Sequence, residues 1–214
     1  MRVPYMLCAT LTAAALLAAP GCSKVVTGTV AKDTKTPASK PNGCEQVSAP
    51  LTDIDTRAAG EPQLKIPQPE GWERAKMLDS DVIRFTMRNK DLVANSFMPT
   101  AVVTLETVPD GASDIKGIFE QERSALVDKL GASDLQTSET TRCGREAELV
   151  DYDAPNMGNI PPRRIKTLMV AGDFHGTTYV VTVTVQSTEP DNATYVRDTA
   201  TVLTGFQFLP PAAG

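Results

Sequence analysis

The segment from Thr177 to Ser187, TTYVVTVTVQS, alternates without a break. Tyr179, Val181, Val183 and Val185 share one side, and Thr182, Thr184 and Gln186 share the other. Successive side chains of a strand point to opposite faces, so this segment has one buried and one wet face, as in an antiparallel sheet. The same period runs through much of the chain. Ile83, Phe85 and Met87 alternate with Arg84, Thr86 and Arg88, and Thr100 to Val108 (TAVVTLETV) is rich in strand formers. Leu135 to Cys143 followed by Arg145 to Asp153 reads as a hairpin about Cys143-Gly144, and Arg163 to Phe174 followed by Thr177 as another about His175-Gly176.

Two helical stretches interrupt the strands. Ser113 is placed to cap a helix that carries Ile115, Ile118, Phe119, Leu126 and Leu130 inward and stops at Gly131. Asp191 is placed to cap a second, with the stripe Tyr195, Val196, Val202, Leu203 and Phe206 and with Gly205 near its end. One apolar sheet face and two apolar helix stripes predict an α+β fold, an antiparallel sheet covered on one face by both helices in a two-layer sandwich. No internal repeat is present.

The amino terminus has a different character. After Met1-Arg2, residues Met6 to Ala19 (MLCATLTAAALLAA) are almost wholly apolar, and Ala19-Pro20-Gly21-Cys22 follows. A basic start, about 14 apolar residues and small residues before a break describe an export signal, because a bilayer-spanning helix needs about 20. The cysteine after Ala-Pro-Gly resembles a bacterial lipobox, in which Cys22 is diacylated and becomes the first mature residue; two palmitate-type chains suffice for stable anchoring. Plain secretion, with Cys22 left free, is the competing reading. Cysteine parity favours the lipid. Of the 4 cysteines, Cys8 leaves with the signal and Cys22 takes the anchor, so Cys44 and Cys143 remain as an even pair for a disulfide in an oxidising compartment. The rival there is two unpaired buried thiols.

The chain thus divides into a signal peptide (1–21), a lipidated cysteine with a flexible Thr/Pro/Lys tether (22–43) and a single domain (44–214). Arg2, Lys24, Lys32, Lys35 and Lys40 are the only basic residues before Cys44, and Asp33 the only acidic one; the domain therefore keeps 16 of the 21 basic and 25 of the 26 acidic residues, about −9. An acidic domain is not one that neutralises nucleic-acid phosphate, and no nucleic-acid partner is expected. A basic tether suits anionic headgroups, and equally a linker that must stay soluble.

Catalytic patterns are scarce. The single histidine removes every two-histidine metal site. No Gly-rich phosphate loop, CxxC, HExxH or GxSxG occurs, so no cofactor, metal or catalytic residue is assigned. His175 lies on a predicted turn, and a hydrolase pairing it with Asp173 or Asp153 and a serine is a remote alternative. Asp151 and Asp153 share a strand face and read as a solvated surface before a cation site, and the Asn192-Ala193-Thr194 sequon reads as chance. The densest basic spot is Arg163, Arg164 and Lys166, a candidate contact for a phosphate headgroup or an acidic partner, with strand-edge protection as its bland alternative. Phe97 and Met98 fall in a loop, where they would line an acyl cleft or tuck into the core.

The order of these elements, together with Ile66-Pro67-Gln68-Pro69-Glu70-Gly71-Trp72, resembles the LpqN/LpqT-type lipoproteins of mycobacteria over roughly Gln63 to Phe208. The resemblance implies a PsbP-like fold and a cell-envelope lipoprotein without an established enzymatic reaction, engaging an envelope glycolipid or an envelope protein. The Cys44/Cys143 pair departs from it, and the matching motif is structural, so no binding residue carries over. The expectation is a membrane-anchored, extracytoplasmic, non-enzymatic binding domain held to the membrane through Cys22. A pure interaction module without a lipid cavity is its alternative.

Overall fold

The computed structural model describes residues 43–108 and 114–212. Among them are ten strands and two helices: β1 (Leu51–Ile54), β2 (Gln63–Pro67), β3 (Trp72–Arg74), β4 (Ile83–Asn89), β5 (Thr100–Val108), α1 (Ile115–Leu130), β6 (Ser133–Arg142), β7 (Arg145–Ala154), β8 (Arg163–Phe174), β9 (Thr177–Ser187), α2 (Ala193–Gly205) and β10 (Gln207–Leu209). Seven strands form an antiparallel sheet in the order β3-β4-β5-β9-β8-β7-β6, and β1, β2 and β10 form a small antiparallel sheet in the order β1-β2-β10. The α+β class, with two helices and antiparallel sheets in a sandwich, is the one the alternation predicts.

Both expected hairpins are present. Cys143-Gly144 and His175-Gly176 take left-handed backbone at both central positions, with φ of 50° and 76° in the first turn and 52° and 83° in the second. Such turns match the twist of the flanking strands, which explains why a glycine follows each. Residues paired across the sheet line up in rows, one of which runs Leu105, Val181, Val170, Ala147.

The arrangement of the helices differs from the expectation. They lie on opposite faces of the large sheet. One core joins Tyr195, Val202 and Leu203 of α2, together with Leu64, Ile66 and Phe208 of the small sheet, to Val181, Val183, Leu168 and Val170. A second core joins Ile118 and Phe119 of α1 to Val150, Tyr152, Ile165, Met169 and Ala171. The reason is visible in β8, where Leu168, Met169, Val170 and Ala171 are all at most 1% exposed. A strand that is apolar at consecutive positions must be covered on both sides. The alternation of β9 does not extend to β8.

Local signals shift by small amounts. Asp114, one residue after Ser113, caps α1 by accepting from the Gly117 amide at 2.8 Å, and Ser113 itself lies outside the described residues. Gly131 ends α1 with φ of 67°, the left-handed stop that glycine favours. Asn192, not Asp191, caps α2, accepting from Thr194 and Tyr195 amides. The sequon asparagine is therefore a helix cap. Leu130 and Val196, both assigned inward by periodicity, are 41% and 49% exposed.

Two attachments hold α2 and the start of the domain in place. Trp72, at the end of the Pro-rich turn, is 2% exposed, and its Nε1 donates to Asp198 Oδ2 of α2 at 2.9 Å. A disulfide joins Cys44 to Cys143 across 99 positions, so the segment that begins at Cys44 is stapled to the β6–β7 turn.

Two outcomes test this packing. Replacing Phe119 with alanine removes an aromatic ring from the second core and should cost about 3–5 kcal/mol in urea denaturation; a loss below about 1 kcal/mol would mean that α1 does not pack there. Reduction, or a Cys44→Ser/Cys143→Ser variant, should lower stability by about 2–5 kcal/mol. Identical denaturation curves with and without reductant would show that the bridge does not constrain the chain.

Candidate functional site

The residues assigned from the sequence do not converge on one spot. Cys22 lies outside the described residues, as do the expected signal peptide and all of the expected tether but its last residue. Alternation along β8 sends Arg163 to the α1 face of the sheet and Arg164 and Lys166 to the α2 face. Arg163 meets Phe97: its guanidinium sits 5.6 Å from the ring centroid, and its Nε donates to Gln186 Oε1. Phe97 closes a tight turn in which Ala94 and Phe97 exchange backbone hydrogen bonds across Asn95 and Ser96, both left-handed. Phe97 and Met98 are half-buried.

Arg164 is engaged by three carboxylates. It donates to Asp151, and its NH1 lies 3.0 Å from Asp134 and 3.1 Å from Asp153. Lys166 pairs with Asp151 at 2.9 Å. The acidic pair Asp151 and Asp153 therefore serves as counter-charge for the basic residues of the neighbouring strand. The fixed register Asp151↔Lys166 and Asp153↔Arg164 brings this about. Three carboxylates against two cations leave no free positive patch at that point, which is why the dense run of basic residues does not translate into one.

His175 is exposed at its turn and borders an open hollow of about 750 Å³, lined also by Asp53, Asp55, Glu61 and Lys65. No serine or cysteine lines this hollow. The nearby Asp173 carboxylate accepts from Thr178. The arrangement supplies an imidazole and carboxylates without an aligned nucleophile.

Two grooves flank the β6–β7 edge of the sheet, one on each face. The first, about 380 Å³, runs between α1 and β6–β7 and is chiefly acidic, with Glu120, Glu139, Glu146 and Glu148 against Lys116 and Arg123. Arg123 and Glu148 form a 2.6 Å ion pair at its wall. The second, about 420 Å³, runs between α2 and β6–β8 and is lined by Arg142, Leu149, Asp151, Lys166, Ala200 and Leu203 among others. Sequence reasoning missed it, because it needs α2 laid beside an edge strand that lies far away in the chain. Its one sequence signal is Arg142, a charged residue that shares the inward face of β6 with Thr140.

Arg142 is 8% exposed. Its Nε donates to the Leu203 carbonyl at 2.8 Å, and its NH1 to the Thr141 carbonyl and the Thr140 hydroxyl. A cation at the carbonyl end of a helix is favourably placed. Burial lowers the guanidinium from its ordinary value, and the charge of Glu45 acts in the opposite sense. Beside this groove, Tyr195, Thr199 and Leu203 form an i, i+4, i+8 stripe of α2. The hydroxyls of Tyr195 and Thr199 are buried without a well-formed hydrogen bond among the described residues. Burial pushes the Tyr195 phenol well above its ordinary value; Thr199 opposes the shift and the Asp151 charge adds to it.

No helix among the described residues is long and apolar enough to cross a membrane. No group of three His, Cys, Asp or Glu side chains among them is arranged to hold a metal ion.

The state of Tyr195 has a measurable consequence. A phenol whose folded value is raised contributes stability that is fully present below its unfolded value, about 10, and is lost as pH climbs beyond it. A Tyr195→Phe variant should match or slightly exceed the wild type at pH 7, since the lost hydroxyl has no firm partner, and should lose less stability between pH 9 and 11. Parallel pH–stability curves for the two proteins would contradict this.

No protein-family model matches the chain, and no curated protein does. Solved structures do match. LpqN of Mycobacterium tuberculosis, described as involved in cell envelope biogenesis, aligns at 16% identity with a TM-score of 0.59, over 75% of this chain and 91% of that one. The Ran-binding protein Mog1p of Saccharomyces cerevisiae aligns at 14% identity and a TM-score of 0.46, over 76% and 97% of the two chains. PA94 of Pseudomonas aeruginosa, a protein of unknown function described as a putative regulator, aligns at 12% identity and 0.44, over 70% and 92%. At these identities the likeness is one of fold: the chain has an LpqN-like α+β sandwich.

Proposed function

We propose that this chain is a lipid-anchored envelope protein of the extracytoplasmic side whose domain binds a ligand or partner and catalyses no reaction. The observation that carries the proposal is the Cys44–Cys143 disulfide. It consumes the two cysteines of the domain and fits an oxidising compartment, which leaves Cys22, after the apolar segment, as the acyl acceptor. The LpqN-like fold supports the envelope setting, LpqN being described as acting in cell envelope biogenesis. The surface supports binding: grooves of several hundred Å³ lie on both sides of the sheet edge, within the range of small-molecule sites.

A second reading, docking to an envelope protein, draws on the far end of the sheet. There the β4–β5 and β7–β8 connections hold Val93, Met157 and Ile160 at 49%, 41% and 41% exposure, away from the disulfide at the β6–β7 turn. Apolar tips on rigid hairpins suit a protein partner.

The anchor is tested by a Cys22→Ser variant expressed in a bacterium that processes lipoproteins. The wild type should partition with membranes and carry a diacylglycerol mass, whereas the variant should appear in the soluble fraction without it. Equal membrane partitioning of the two proteins, with no acyl mass on the wild type, would sink the proposal.

A further inference from the structure

Strand β6 ends the large sheet, and among the described residues β7 is its one partner strand. The other outermost strands are short: β3 and β10 have three residues each and β1 has four, whereas β6 has ten. Gln136, Thr137, Ser138 and Glu139 are all exposed, so neither helix shelters the strand there. Its register with β7 runs unbroken from Gln136 to Arg142, and Ser133 to Arg142 contains no lysine or proline, the residues that often blunt such an edge. The Cys143-Gly144 turn has two residues, so Arg142 and Arg145 form the hydrogen-bonded pair beside it and the pattern alternates from there. Thr137, Glu139 and Thr141 therefore direct their backbone N–H and C=O groups outward. The Thr141 carbonyl accepts from the Arg142 guanidinium. Among the described residues, no backbone hydrogen bond outside the β6–β7 ladder involves Thr137 or Glu139.

We infer that β6 accepts an added antiparallel strand from a partner protein, an extended segment with basic side chains at alternate positions and apolar ones between them. The inference rests on the binding-domain reading above and names the partner for its two grooves. Successive side chains of a strand point to opposite faces, and each face of β6 borders one groove. Glu139 and Thr141 line the α1 groove, while Gln136 and Ser138 line the α2 groove. On the α1 side, Lys116 and Arg123 pair with Glu139 and Glu148, which leaves Glu120 and Glu146 without an ion pair among the described residues. That balance suits a basic side chain. On the α2 side, Lys166 is met by Asp151 and Arg142 by carbonyls, so what remains beside the small Ser138 is Leu149, Ala200 and Leu203, a setting for an apolar side chain. Charge also disfavours a second copy of this chain as the occupant. Two β6 strands paired antiparallel turn the same face in both copies, so two α1 grooves with unpaired glutamates would lie side by side.

The full chain, extracted in a neutral detergent at physiological salt, is titrated with a fluorescent octapeptide that alternates lysine and valine, and anisotropy is read. A peptide of the same composition with its lysines grouped at one end should bind at least about tenfold more weakly, because general attraction to an acidic domain does not depend on residue order. In an antiparallel pair the residues opposite Thr137 and Glu139 hydrogen-bond to them. Methylating the backbone nitrogens of the lysines should therefore abolish binding, and methylating those of the valines should leave it. Thr137→Pro removes an outward N–H without touching the β7 ladder, and Glu139→Lys reverses an exposed charge; each should weaken binding at least about tenfold with unchanged melting temperature. Bound peptide should slow hydrogen exchange at the Thr137 and Glu139 amides. Val93→Ser, at the far end of the sheet, should bind as the wild type does. Equal binding of the alternating and grouped peptides, undiminished binding of the lysine-methylated peptide, or wild-type binding by the folded Thr137→Pro and Glu139→Lys variants would overturn the inference. A chain that sediments as a dimer, with the dimer lost in Thr137→Pro, would make a second copy the occupant and overturn the partner assignment. Mass spectrometry of the same sample reports the acyl group on Cys22. An acylated chain that ignores the peptide refutes the strand site alone, and a peptide-binding chain without the acyl group refutes the anchor and spares the strand site.

Discussion

Strand β8 lies inside the sheet with its two faces equally in need of cover. Leu168 and Val170 point to one side, Ile165, Met169 and Ala171 to the other, and each is essentially excluded from solvent. Burying a large apolar side chain contributes about 1.5–3 kcal/mol, so leaving either set in water would forfeit much of the net stability of a domain this size. The placement of the remaining elements follows. α1 covers one side of β7 and β8, while α2 and the three-stranded sheet cover the other. The grooves at the β6–β7 edge are where that cover runs out.

The position of α2 decides the shape of the more hydrophobic groove, and α2 is held at three points. Trp72 reaches it near the middle through Asp198, and Arg142 grips its last turn at the Leu203 carbonyl. Gly205 lets Val47 and Pro67 approach its end, where a Cβ would stand 2.4 Å and 2.7 Å from them. The disulfide at Cys143, next to Arg142, joins the segment containing Val47 to the same corner. Fold stability and the groove thus share residues. The corner that fastens the beginning of the domain also sets a cation into the groove wall.

Charge placement follows the same logic. The basic run on β8 is split by the pleat, and its two members on the α2 face are matched by carboxylates on β6 and β7. What a linear reading presents as a patch is a cross-strand lattice of ion pairs. Arg142, by contrast, is held by the Leu203 and Thr141 carbonyls and the Thr140 hydroxyl.

The six strands β4 to β9, both hairpin turns, the two helices and the α+β class were legible in the sequence because they depend on local periodicity and turn chemistry, whereas the short strands β1, β3 and β10 carry too few residues to show a period. A glycine after Cys143 and after His175 marks a left-handed turn, and Gly131 marks a helix stop. The amphipathic strand β9 states its own two faces. The pairing of Cys44 with Cys143 was legible for a different reason, since compartment and parity left few choices. The distribution of the helices was not. One apolar stripe looks like another, and only packing against β8 assigns α1 and α2 to different faces. The groove was equally hidden, because Arg142, Lys166 and Leu203 become neighbours only when α2 is laid against strands far from it in the chain. By itself the sequence determined the six long strands, the two helices and which cysteines remain to pair; tertiary structure decided which charges cancel and which surface stays open, since those depend on contacts between residues distant in sequence.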